Sequence, residues 1–167
     1  ALQIAQALVA KDPGNVEWQR DVAVTLNRVG SVEQQQGNAE SALARYQDAL
    51  EVARVLAAKE PGNSGWQRDV AYTTNRIADL EQAQGNFSAA RVRYGQGLEI
   101  ARALVAKDPG NSLWQHDLAF SLNRVGDIER AQGNAAEALS RYREGLEIAR
   151  AVAAKDPDNL ASGRDVF

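Results

Sequence analysis

Residues 13–60 read PGNVEWQRDVAVTLNRVGSVEQQQGNAESALARYQDALEVARVLAAKE, and the next two stretches of 48 residues repeat that text with substitutions. Trp18, Trp66 and Trp114 stand 48 apart, as do Pro13, Pro61, Pro109 and Pro157. The same offset relates Asn27, Asn75 and Asn123, then Gly37, Gly85 and Gly133, then Tyr46, Tyr94 and Tyr142. When 13–60, 61–108 and 109–156 are superimposed, 22 of 48 columns are identical in all three, which is the mark of a stacked repeat.

Within one unit the apolar residues fall at helical spacing. Pro13-Gly14-Asn15 breaks the chain and offers Asn15 as an N-cap. A first helix, A, is predicted from about Val16 to Gln36, with a stripe at Trp18, Val22, Leu26, Val29 and Val32. Gly37 reads as its stop, and Asn38 as the cap of a second helix, B, from about Ala39 to Lys59. In the third unit Asn134 with Glu137 has the form of a capping box. The buried stripe of helix B is Ala42, Tyr46, Leu50, Ala53 and Leu56, with small residues at Ala42, Ala90 and Ala138 for close approach. Arg54, Arg102 and Arg150 follow Glu51, Glu99 and Glu147 by three, as i,i+3 ion pairs do. Lys59, Lys107 and Lys155 suit the helix C-termini.

These residues resemble the tetratricopeptide repeat family over nearly the whole chain. The family pattern appears as Leu26, Val29-Gly30, Ala42, Tyr46 and Ala49, with Gln36-Gly37-Asn38 at the turn. It returns as Leu122, Val125-Gly126, Ala138 and Tyr142. The resemblance implies an all-α fold, a right-handed TPR-like α-solenoid of antiparallel helix pairs, with a unit longer than the family's own. Three departures point to altered packing: Glu33, Glu81 and Glu129 replace an aromatic or Leu; Thr74 and Ala78 replace the Leu and Gly of the sister units; Gly97 and Gly145 replace Ala. One array is expected across 1–167: a partial helix B at 1–12, units 13–60, 61–108 and 109–156, and the start of a further helix A at 157–167. Leu2, Ile4, Leu8 and Val9 read as an apolar helix fragment, so the ends are expected to belong to a longer array or to be covered by another copy.

Composition restricts function. Apolar residues make up 44% and charged residues 25%, the balance of a globular protein. Net charge is −3, from 22 acidic and 19 basic residues, so no cationic surface for nucleic acid is expected. No apolar run approaches the roughly 20 residues that span a bilayer. There is no Cys, which removes thiolate chemistry and Cys-based zinc sites, and no Met. The one histidine, His116, shares a column with Arg20 and Arg68, which is ordinary helix surface. Asp127 and Glu129 are i and i+2 and face different ways. Asn86-Phe87-Ser88 fits a glycosylation sequon, but Asn86 is also a predicted N-cap. No enzyme, cofactor, metal or small-molecule substrate is expected.

Binding is expected on the concave face that the resemblance assigns to the A helices. One helical face carries Arg20, Val24, Asn27, Ser31 and Gln34. Its counterparts are Arg68, Tyr72, Asn75, Asp79 and Gln82, then His116, Phe120, Asn123, Asp127 and Arg130. Mid-helix Asn is a poor helix former, so three in register need a reason. Either the amides clamp the backbone of an extended peptide, or each bonds the neighbouring A helix and sets unit-to-unit geometry. Exposed aromatics beside Arg are typical interface anchors, although Val24, Tyr72 and Phe120 could instead cover the adjacent helix. The Trp column reads as core. The expected partner is a protein or peptide; the alternative is other copies of the chain, in a fibre or superhelical filament.

Overall fold

The computed structural model describes residues 3, 7, 10–12 and 14–155, with Lys155 described by its backbone. Pro13, Pro157, the apolar positions Leu2, Ile4, Leu8 and Val9, and the further helix A expected at 157–167 lie outside the described residues. Residues 3, 7, 10 and 11 are helical. The complete helices are α1 (Val16–Gln35), α2 (Ala39–Lys59), α3 (Ser64–Ala83), α4 (Phe87–Lys107), α5 (Ser112–Ala131) and α6 (Ala135–Lys155). Odd-numbered helices are the A helices and even-numbered ones the B helices. The fold is all-α and TPR-like, and no strand occurs among the described residues. The chain forms two compact units, residues 1–97 and 98–167, with the boundary inside α4.

Local chemistry sets each helix end. Asn15 and Asn111 accept from the backbone N–H of Trp18 (3.0 Å) and Trp114 (3.1 Å), and Asn63 accepts from Gly65 (3.0 Å) and Trp66 (3.4 Å). The A–B turn needs a residue at positive φ: Gly37, Gly85 and Gly133 sit at 82°, 79° and 85°. The glycine N–H donates to the carbonyl of Gln34, Gln82 or Arg130, and the next residue's N–H to that of Glu33, Glu81 or Glu129. That pair of bonds is the Schellman closure. Asn38 makes no side-chain cap bond, contrary to expectation. The A–B turn recruits this column otherwise: Asn134 Nδ2 donates to Glu129 (2.8 Å) and Asn86 Nδ2 to Gln84 (3.4 Å).

In the first unit, α1 packs on α2 and α2 on α3. The α2 stripe is buried as predicted, with Ala42, Tyr46, Leu50, Ala53 and Leu56 at 5% exposure or less. In α3 the A-helix stripe of Trp66, Val70, Thr74, Ile77 and Leu80 is wholly buried. The α1 stripe differs from expectation: Leu26 is buried, Trp18, Val22 and Val29 are half-buried, and Val32 is 51% exposed. The reason is the neighbour, for α2 lies over α3 while no complete helix precedes α1 among the described residues. In the second unit α5 packs on α6 and buries Leu118, Leu122, Val125 and Ile128, with Trp114 half-buried.

The family departures have local causes. Glu81 accepts from Arg93 Nε at 2.6 Å, Glu33 lies 3.8 Å from Arg45, and buried Glu129 accepts from Asn134. A carboxylate late in helix A is thus matched by polar groups of helix B and the turn. A Cβ on Gly97 would overlap the Asn75 side chain, and one on Gly145 would lie 3.0 Å from Asn123 Oδ1. These glycines make room for the Asn column. The i,i+3 pairing expected for Arg102 is replaced by a bond from α4 to α6, where Arg102 donates to Glu144 at 2.9 Å.

Candidate protein-interaction surface

The expected binding face is partly consumed in building the first unit. Arg20 Nε of α1 donates to Asp69 Oδ2 of α3 at 2.8 Å, and a second guanidinium nitrogen lies 3.4 Å from Oδ1. The same guanidinium sits 5.2 Å from the centre of the Trp66 ring. Its hydrogen bond to Asp69 pushes the Arg20 pKa further up, so the charge is permanent. Asn27 Nδ2 donates to Thr73 Oγ1 at 2.9 Å, and Thr73 in turn donates to the Asp69 carbonyl at 3.0 Å. The chain Arg20, Asp69, Thr73, Asn27 ties two A helices together. Here Asn27 makes the helix-to-helix bond that was one of the two readings of its column.

The three asparagines are not equivalent. Asn75 is 9% exposed and sits against Gly97 of α4; Asn123 is exposed beside Gly145 of α6. Where the B helix has Ala49 instead of glycine, Asn27 turns towards the next A helix. Asn27 Oδ1 and Asn75 Oδ1 are both buried with no hydrogen-bond partner.

Further along the face, side chains expected to be free for a partner take the tyrosines of the B helices. Tyr46 OH donates to Gln34 Oε1 at 3.0 Å. Tyr94 OH lies 2.6 Å from Asp79 Oδ1 and 3.0 Å from Gln82 Oε1, and Tyr142 OH donates to Asp127 Oδ1 at 2.8 Å. Burial pushes the hydroxyls of Tyr46 and Tyr142 up from their ordinary pKa, and Asp127 adds to that for Tyr142. Val24, Ser31 and Arg68 are half-buried; His116 and Arg130 are exposed. Arg130 lies 3.9 Å from Asp127.

Two rings remain open. Tyr72 is 50% exposed and Phe120 is 41% exposed. Each is stacked by an arginine one turn later: Arg76 at 5.0 Å from the Tyr72 ring centre, Arg124 at 4.9 Å from that of Phe120. Arg76 also donates to Asp79 at 3.4 Å. The sequence reading named Arg68 and His116, one turn earlier, and missed Arg76 and Arg124. The signal was available, since Arg28, Arg76 and Arg124 form an invariant column four residues after Val24, Tyr72 and Phe120.

Comparison with known proteins places this geometry. Among the described residues, no helix is long and apolar enough to cross a membrane. No curated protein matches the chain in sequence. Among solved structures it is similar to BtubC (BKLC) from P. vanneervenii, with a TM-score of 0.67 and 19% identity over 90% of this chain and 54% of that one. It is also similar to the N-terminal domain of stress-induced protein-1 (STI-1) from C. elegans, with a TM-score of 0.53 and 17% identity over 81% of this chain and 95% of that one. The chain thus spans about half the length of BtubC, and at these identities the likeness speaks for the fold. In sequence, the tetratricopeptide repeat profile matches residues 22–57, 70–109 and 118–158, well over half the chain, and the chain therefore belongs to the tetratricopeptide repeat family.

Proposed function

We propose that the chain holds a peptide or protein partner on the A-helix face, with Tyr72 and Arg76 as an anchor in the first unit and Phe120 and Arg124 as a separate anchor in the second. Membership of the family makes it a protein-interaction scaffold in general terms. The observation that carries the finer reading is the pair of half-exposed rings, each lying under a guanidinium at the same repeat position. An aromatic ring with a neighbouring arginine offers apolar area at low entropic cost together with hydrogen-bond donors, the combination that dominates interface energetics. Among the described residues no other large apolar side chain on this face is open, and Arg20, Gln34, Asp79 and Asp127 have bonds within the protein.

The Asn column keeps its two readings: Asn75, buried against Gly97 of α4, favours a structural role, whereas Asn123, exposed beside Gly145, leaves an amide open for a peptide backbone. Panning a random peptide display against the chain, then measuring the selected peptides against Tyr72→Ala, Phe120→Ala and Asn75→Ala, tests both. For the two ring variants the expected outcome is binding weakened by about 1–3 kcal/mol with unchanged melting. If Asn75→Ala lowers stability and leaves binding intact, the Asn column is structural. Peptides that bind the ring variants as tightly as the parent would sink the proposal. A second reading, association of copies into a filament, draws on Val32, which is 51% exposed in α1 where Leu80 and Ile128 are buried in the sister helices. Light scattering that stays monomeric over a wide concentration range counts against it.

A further inference from the structure

In the first unit the arginine beside the open ring belongs to a chain of bonds that begins in the core. Tyr94 of α4 is 1% exposed, and its hydroxyl lies 2.6 Å from Asp79 Oδ1. Gln82 Oε1, at 3.0 Å, is a second acceptor. A hydroxyl has one proton to give, and the shorter bond to a carboxylate is the stronger. The other carboxylate oxygen, Asp79 Oδ2, accepts from Arg76 Nη1 at 3.4 Å. Arg76 in turn stands 5.0 Å from the centre of the Tyr72 ring. Tyr94, Asp79, Arg76 and Tyr72 thus form one path from a buried hydroxyl to a half-exposed ring.

The sister helices separate the parts of this path. α1 has Ser31 in the column of Asp79 and Val24 in that of Tyr72, and its Arg28 is exposed where Arg76 is half-buried. α5 has the carboxylate, and Tyr142 OH donates to Asp127 Oδ1 at 2.8 Å. Asp127 also has Arg130 at 3.9 Å, a guanidinium that Gln82 replaces in the first unit. We propose that Asp79 is a positioning residue: locked by Tyr94, it sets the Arg76 guanidinium over the Tyr72 ring before a partner arrives. This rests on the reading of Tyr72 and Arg76 as an anchor. An arginine side chain has many rotamers, and ordering it in advance removes that cost from binding. Asp79 itself need not touch the partner, since its two oxygens already serve Tyr94 and Arg76.

NMR of the full 167-residue chain tests this with no partner present. Stacking on a tyrosine moves the side-chain methylene protons of Arg76 upfield through the ring current, and Tyr72→Leu supplies the unstacked reference. Asp79→Ala is expected to move those protons most of the way to the reference. Tyr94→Phe, which keeps the ring in the core, should move them part of the way. The signals of exposed Arg28 should stay in place in every variant. For peptides selected on the parent that depend on Tyr72, Asp79→Ala should weaken binding roughly two- to tenfold, the effect of one side chain no longer ordered in advance. Arg76 protons that Asp79→Ala leaves unmoved would overturn the assignment, as would a moved signal with unchanged peptide affinity. Should the alanine variant not fold, Tyr94→Phe decides in the same way. If no selected peptide depends on Tyr72, the anchor reading fails, and the methylene signal still decides whether Asp79 sets the stack.

Discussion

Glu60 shows how one side chain distinguishes two otherwise similar turns. In the first and third turns the column is Asp12 and Asp108, whose carboxylates accept from Gly14 and Gly110 N–H at 3.1 and 3.0 Å. Glu60 is one methylene longer and reaches over to Asn63 Nδ2 (3.0 Å) and Trp66 Nε1 (3.2 Å). The bond from Asn63, then that from Trp66, holds its carboxyl below the usual value of 4.5. A depressed carboxylate pKa stabilises the fold above the unfolded value and loses that effect as pH falls through the folded value. Glu60→Gln should therefore flatten the fall of Tm with pH in the window below about pH 4.5, and leave its slope near neutrality unchanged. The tyrosine hydroxyls are a second case. Tyr142→Phe removes the donor to Asp127 and should cost about 1–3 kcal/mol, measured by urea unfolding.

At the scale of the element, helix ends and close approaches carry most of the specificity. Gly85, at a φ of 79°, closes α3 through bonds to Gln82 and Glu81. Gly85→Ala should cost about 1 kcal/mol or more because a Cβ is strained in that region, even though the space around it is open. Gly126 is the opposite kind of glycine: it has ordinary helical φ, but a Cβ there would meet the Tyr142 ring at 2.7 Å. In the middle repeat Ala78 fills that column beside a fully buried Tyr94, so the ring can yield. Gly126→Ala should change stability by no more than about 1 kcal/mol, helix propensity offsetting the ring shift, whereas Gly126→Leu should unfold the α5–α6 hairpin. Circular dichroism melts separate the two outcomes.

For the molecule as a whole, stability should be distributed repeat by repeat, since each repeat contacts only its neighbouring repeats in such arrays. Trp66 is 4% exposed and Trp114 half-buried. Trp66→Ala should cost about 3–5 kcal/mol, and Trp114→Ala clearly less. Hydrogen exchange in the first variant should quicken most in residues 64–97, with smaller effects in 112–155.

The helices, their ends and their period were legible in the sequence because they depend on residues near one another along the chain. Helix A was read as about Val16–Gln36 and is Val16–Gln35; helix B was read as Ala39–Lys59 and is Ala39–Lys59. The binding face was legible only as a list of columns. Whether Arg20 faces a partner or Asp69, and whether Gln34 and Asp79 face solvent or a tyrosine, depends on residues 12 to 49 positions away. Those choices rest on which helix lies alongside, and that also left Val32 exposed where Leu80 is buried. The 48-residue period by itself determined that the chain is a stack of helical hairpins, through local propensity and spacing. Only the tertiary structure decided which polar residues hold the helices together and which two rings of the A helices stay open, because desolvation and hydrogen-bond partners exist only once helices pack.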